Sequence, residues 1–144
     1  MFADPKKNIE QFAFHSGMTI ADLGAGSGAY SLLAARTVGD LGKVYAIDVQ
    51  KELLQRIKND AIKEHLSNIE VVWGDIEKMG GTSLKDDLID GAIVSNLLFQ
   101  LQHKDIFRNE VHRILKPEGR VFVIDWTDSF GGIGPHPESV FSLV

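Results

Sequence analysis

Eight consecutive residues, Asp22-Leu23-Gly24-Ala25-Gly26-Ser27-Gly28-Ala29, join one carboxylate to three alternating glycines. They follow a short apolar run and open a stretch of helical periodicity. Glycines there let the backbone turn sharply and let a ligand approach with no Cβ in the way. The helix that follows offers free N–H groups and the positive end of its dipole. A tight strand-to-helix turn with no ligand would not need three alternate glycines. Two more aspartates, Asp48 and Asp75, close later apolar runs. A carboxylate accepts two hydrogen bonds from a vicinal diol better than any neutral side chain does. Taken singly, Asp48 reads as a cap for the helix after it and Asp75 as a helix N-cap. Three aspartates, each ending one of three consecutive strands, read better as one site.

Two cofactor classes fit that loop. Gly24-x-Gly26-x-x-Ala29 satisfies the dinucleotide fingerprint, and Asp48 lies near the offset of about 20 residues expected for a ribose-gripping acid. That reading leads to an NAD-dependent oxidoreductase. Asp22 argues the other way. A pyrophosphate on this loop would face a carboxylate at a repulsive cost, whereas an ammonium and a sulfonium would be attracted to it. The charge therefore favours S-adenosylmethionine over NAD.

These residues need a scaffold of alternating strands and helices. Apolar runs at 18–23, 43–48, 69–73, 88–94 and 120–126 read as five strands. Helical spacing of apolar residues covers 30–38, ended by Gly39, and 51–66, broken by Asn68. A third helix spans 103–115 and is stopped by Lys116-Pro117-Glu118-Gly119. Residues 77–87 read as loop with one helical turn. Strands joined by helical crossovers imply a parallel sheet covered by helices on both faces. The ligand of such an open α/β sheet sits beyond the C-terminal ends of its strands.

With these motifs in this order, the chain from about Ala13 to Trp126 resembles the class I S-adenosylmethionine-dependent methyltransferases. It is most similar to the small-molecule methyltransferases of the ubiquinone/menaquinone-biosynthesis type. The resemblance implies a Rossmann-like sheet of strand order 3-2-1-4-5 and direct methyl displacement onto a small-molecule acceptor, with S-adenosylhomocysteine as product. It implies that Asp22, Gly24, Ala25, Gly26 and Gly28 hold the methionine part. Asp48 would bind the ribose hydroxyls, Val49 and Ile76 would pack on the adenine, and Asp75 would contact its amino group. Ser95 and Asn96, in Ser95-Asn96-Leu97, would line the methionine and substrate side. Glu110-Val111-His112-Arg113-Ile114-Leu115-Lys116-Pro117-Glu118-Gly119 resembles the family's helix and turn before the fifth strand. No general base is named. A catalytically silent cofactor-binding or assembly module is the alternative from outside enzymology.

The family sheet ends in an antiparallel hairpin, and 18 residues follow Trp126, room for a loop and the start of a helix. The hairpin is therefore expected to be missing. The fifth strand would then be an exposed apolar edge, a liability for pairing with another chain. Cover by the Val140-Phe141-Leu143 tail or by a second subunit is expected, the latter making a homo-oligomer.

Composition bounds the remaining classes. The 144 residues (15.9 kDa) fit one domain, 1–144, and 44% hydrophobic with 24% charged is ordinary for a globular chain. With no cysteine, disulfides, thiolate zinc sites and cysteine nucleophiles fall away, as do methyltransferases that carry arsenic on thiols. The net charge of −5 disfavours nucleic acid, whose binding gains from a cationic face. No apolar run approaches the ~20 residues of a membrane span, and the N-terminus lacks a signal-peptide core. A cytoplasmic location is expected. No metal is expected, since His15, His65 and His103 have no partner at ligand spacing. His112 is read as solvent-facing or structural, and His136 as bordering a substrate pocket. Asp125 and Trp126 are read as shaping the substrate cavity, and Trp73 as core. Phe2, Phe12 and Phe14 suggest an amphipathic N-terminal helix.

Overall fold

The computed structural model describes residues 4–95, 100–125 and 139–142. The chain runs α1 (Pro5–Phe12), β1 (Thr19–Leu23), α2 (Ala29–Val38), β2 (Lys43–Asp48), α3 (Lys51–Lys63) and β3 (Ile69–Trp73). It continues through β4 (Ile89–Ser95), α4 (Lys104–Ile114), β5 (Leu115–Asp125) and β6 (Ser139–Ser142). The sheet order is β3-β2-β1-β4-β5-β6. The first five strands are mutually parallel, and β6 lies antiparallel on β5, Val123 opposite Phe141.

A parallel sheet buried on both faces demands nearly continuous apolar strands, and the alternation of side chains then divides them between two cores. Ile20, Val44, Ile93, Phe122 and Ile124 turn to one face, closed by Phe12 of α1 and by Ala34, Ala35 and Val38 of α2. Phe122 stacks on Phe12 with centroids 4.5 Å apart and meets Phe14 edge-on at 5.5 Å. Ala46 packs on Ile57 of α3. Leu23, Ile47, Val94 and Val123 turn to the other face, against Phe107, Val111 and Ile114 of α4. Phe12 and Phe14 thus pack on the sheet; Phe2 lies outside the described residues.

Helix boundaries follow local chemistry. Asp4 caps α1, its carboxylate accepting from the N–H of Lys6 at 3.1 Å, with Pro5 inside the first turn. α3 ends at Lys63, three residues before the expected 66. His65 adopts a left-handed φ of 58° there, and the N–H groups of His65 and Leu66 return to the carbonyls of Ile62 and Ala61. This is a Schellman closure with histidine in the place usually held by glycine. α4 ends at Ile114 because Leu115 is already extended and pairs with Ile89. Residues 116–119 form the irregularity before pairing resumes at Gly91 and Arg120.

Two expectations are corrected. Trp73 is not core: it stands 61% exposed on the edge strand β3, its Nε1 donating to the Val49 carbonyl at 2.8 Å and its ring beneath the Lys51 ammonium. The segment after the fifth strand supplies a strand rather than the start of a helix. β6 carries Val140 and Phe141 of the tail onto the edge of β5, the first of the two forms of cover expected for it.

A buried ion pair braces the sheet's second face. Glu110 is 1% exposed and accepts from Gly80 N–H, from Thr82 N–H and hydroxyl, and from Arg113 through Nε and Nη2. Arg113 also reaches Asp86 at 2.7 Å. Burial alone would raise the Glu110 pKa. The hydrogen bonds from Arg113, Thr82 and Gly80 outweigh it and bring the group down to about 2. The loop 80–86 is thereby fastened to α4.

Candidate functional site

Strands β1, β2, β3 and β4 end together on one side of the sheet, and a cleft of about 530 Å³ opens there. A volume of this size suits a ligand of nucleoside or drug dimensions. Gly24, Ala25 and Gly26 after β1, Asp48 and Val49 at the end of β2, Asp75 and Ile76 after β3, and Ser95 at the end of β4 all line it. Eight of the eleven residues singled out from sequence therefore meet at one cavity. Asp22 and Gly28 do not line it, and Asn96 lies outside the described residues.

The glycine loop departs from expectation in a way that bears on the ligand. Four of its amides are already taken: Gly24 and Ala25 N–H both reach the Ile47 carbonyl (2.8 and 2.9 Å). Gly26 N–H donates to Asp48 Oδ2 at 3.0 Å, and Gly28 N–H to the Ala25 carbonyl at 2.9 Å. These four offer a ligand glycine surface rather than a cradle of free donors. Gly26 has φ 57°, and a Cβ there would meet nothing nearer than the Gly24 carbonyl oxygen at 4.0 Å. Gly28 has φ 85°, and a Cβ there would sit 2.5 Å from Ile57 Cγ1. Its absence of side chain seats α2 on α3 from behind the cleft.

Asp22 also sits behind the loop. It is 1% exposed, and its Oδ2 accepts the Ser31 hydroxyl at 2.7 Å. The Ser31 backbone N–H, in the first turn of α2, is also bonded to this carboxylate. A carboxylate thus stands at the helix N-terminus where a dinucleotide would place its pyrophosphate. Its Oδ1 is buried with no hydrogen-bond partner within the protein. Burial raises its pKa to about 6, and the nearby Asp48 charge adds to the rise while the Ser31 hydrogen bonds oppose it. A buried carboxylate behind the loop, with one oxygen unpaired, favours a cationic over an anionic group in the adjoining cleft, as the ammonium and sulfonium of S-adenosylmethionine are.

Asp48 combines the two roles weighed from sequence. Its Oδ1 accepts the Gln50 N–H at 2.9 Å, at the cap of α3, while Oδ2 holds Gly26. Each oxygen retains a further lone pair for a diol. Asp75 spends Oδ1 on the Glu77 N–H at 2.9 Å, a turn rather than a helix N-cap. Ile76 is buried and Val49 is 54% exposed, so one apolar side chain forms the cleft floor and the other its rim. Sequence reasoning passed over Glu77, Gln100 and Leu101, which also line the cleft. Their proximity depends on where the 74–82 turns meet the start of α4, and no spacing in the chain signals that. Among the described residues no group of three or more His, Cys, Asp or Glu side chains could hold a metal ion. His112 is exposed; Asp125 ends β5; Trp126 and His136 lie outside the described residues.

Residues 14–130 match the methyltransferase domain family. The chain belongs to that family. Its sheet order makes this methyltransferase domain a class I, Rossmann-like member, and S-adenosylmethionine is the cofactor of the class. An S-adenosylmethionine-dependent methyltransferase from Aquifex aeolicus superposes with a TM-score of 0.81 and 34% identity, over 93% of this chain and 70% of that one. An arsenite methyltransferase of Halobacterium salinarum is 30% identical over 129 residues, covering 89% of this chain and 31% of that protein. A ubiquinone/menaquinone biosynthesis C-methyltransferase of Paraburkholderia phytofirmans is 29% identical over 119 residues, covering 83% and 47%. The methyltransferase domain described here thus spans less than half the length of these two curated relatives.

Proposed function

We propose that residues 1–144 act as one domain that binds S-adenosylmethionine across the tips of β1, β2 and β3 and serves methyl transfer to a small-molecule acceptor. The observation that carries this reading is Asp22 at the N-terminus of α2, with its Oδ1 unpaired. Together with the four occupied loop amides it opposes a pyrophosphate and favours a cation, which tells against the oxidoreductase reading. Asp48 would take the ribose hydroxyls, and Val49 and Ile76 would enclose the adenine, whose amino group would meet Asp75. Gly24, Ala25, Gly26 and Ser95, with Asn96 from the resemblance, would flank the methionine end. Gly28 and Asp22 would support it from behind.

When bound, the cofactor supplies a methyl group on a sulfonium, which leaves as a neutral thioether once an acceptor nucleophile displaces it. The protein's share is to hold that nucleophile in line and keep the cleft dry, which suffices for large accelerations. No side chain among the described residues needs to remove a proton for an acceptor that is already anionic. The absence of cysteine from these 144 residues favours an organic acceptor, as in the quinone-pathway relative, over arsenite. A reducing cytoplasm suits a cysteine-free chain; among the described residues no helix is long and apolar enough to cross a membrane. The test is transfer of label from methyl-labelled S-adenosylmethionine to a panel of phenolic, amine, carbon-acid and arsenite acceptors. Label on an organic acceptor supports the reading; label on arsenite alone would overturn the choice of acceptor.

A further inference from the structure

Glu77 joins two walls of the cleft. Its Oε1 accepts two backbone N–H groups, those of Gln102 and His103, at 2.6 Å each. These are the residues that open α4, whose cap residue His103 makes no side-chain capping bond of its own. A carboxylate supplied from 25 residues away therefore holds the N–H of the N-cap residue and of the residue before it, at the positive end of this helix. On its other side Glu77 donates its own N–H to Asp75 Oδ1 at 2.9 Å. One continuous chain of hydrogen bonds then runs from the carboxylate facing the cleft, through Glu77, to the start of α4. Gln100 and Leu101, immediately before the capped residues, line the same cleft as Asp75 and Ile76. Leu101 is also buried in the core shared with Ile76 and Phe107, so this wall is tied to packing on both sides.

We infer that Glu77 is a positioning residue that couples occupancy of the Asp75 end of the cleft to the order of the Gln100–Leu101 wall. The inference rests on the cofactor reading above. A ligand that fixes Asp75 fixes the Glu77 turn, and through it the first turn of α4. Glutamine at 77 keeps an acceptor oxygen and loses the charge; alanine removes the acceptor altogether.

The experiment is amide hydrogen exchange at Gln102 and His103, with and without S-adenosylhomocysteine, in the wild type, Glu77→Gln and Glu77→Ala, with binding followed by calorimetry. In the wild type the ligand should slow both amides. In Glu77→Ala they should exchange about tenfold faster without ligand, the size of one net hydrogen bond, and bound ligand should no longer slow them. Glu77→Gln should restore most of the ligand-dependent slowing, which a merely structural loss of charge would not. Wild-type protein that binds the ligand while these two amides exchange unchanged overturns the coupling and leaves the cofactor reading intact. That result needs neither variant to fold. Wild-type protein that binds no S-adenosylhomocysteine overturns the cofactor reading, and the coupling with it.

Discussion

At the scale of single residues, Asp22 stands buried behind the glycine loop and outside the cleft lining. Its folded carboxyl keeps a proton up to about pH 6, against an ordinary value of 3.8. The folded state therefore binds more protons than the unfolded one between those values, and on this group's account stability falls as pH rises through that window. Above pH 6 the cost of the buried charge is constant. Asp22→Asn keeps an acceptor for Ser31 and removes the charge, so the ligand-free variant should melt higher than the wild type at pH 7.5. The gap should narrow toward pH 4.5. Melting curves that run parallel across this range would show that Asp22 carries no such cost. The three aspartates were legible in the chain because each closes an apolar run, yet the structure gives them unlike roles. Asp48 and Asp75 meet the cleft, while Asp22 faces α2, since side chains alternate across a strand and position 22 falls on the helix-covered face with Ile20.

At the scale of elements, the first four strands were readable to within a residue, because doubly buried parallel strands must be apolar throughout, whereas β5 begins at Leu115, five residues before the expected start. Helix ends were harder, since His65 ends α3 in a conformation that a histidine does not advertise. Trp73 was misread because apolarity alone cannot tell an edge strand from a central one. Glu110 was named only within the segment that resembles the family's helix and turn, although Phe107, Val111 and Ile114 place position 110 on the buried stripe, with Arg113 three residues on as a partner. Its pKa, about 2 against an ordinary 4.5, means that its contribution is present above 4.5 and is lost as pH falls toward 2. Glu110→Gln leaves the Arg113 guanidinium short of its buried partner and should cost about 3 kcal/mol in urea unfolding at pH 7. The variant should also lose the wild type's extra sensitivity to acid between pH 4.5 and 2. Unchanged stability would mean that the loop 80–86 does not depend on this pair.

For the whole molecule, the parallel sheet followed from crossover rules and the order 3-2-1-4-5 from a resemblance that covered most of the chain, and the first five strands have it. The sixth strand did not follow, because Ser139–Ser142 is four residues long and finds its register only against the edge of β5. The cleft was placed correctly at the strand tips, since the point where strand order reverses leaves a crevice there. Its far wall was not foreseen, because Gln100 and Leu101 arrive by tertiary packing alone. The central claim, that this crevice takes S-adenosylmethionine, is tested most directly by calorimetric titration with S-adenosylhomocysteine and with NADH, in the wild type and in Asp48→Ala. The account predicts heat from the sulfur ligand alone, and an affinity at least tenfold weaker in the variant, which loses a charged hydrogen-bond acceptor. Binding of NADH but not of S-adenosylhomocysteine would contradict it.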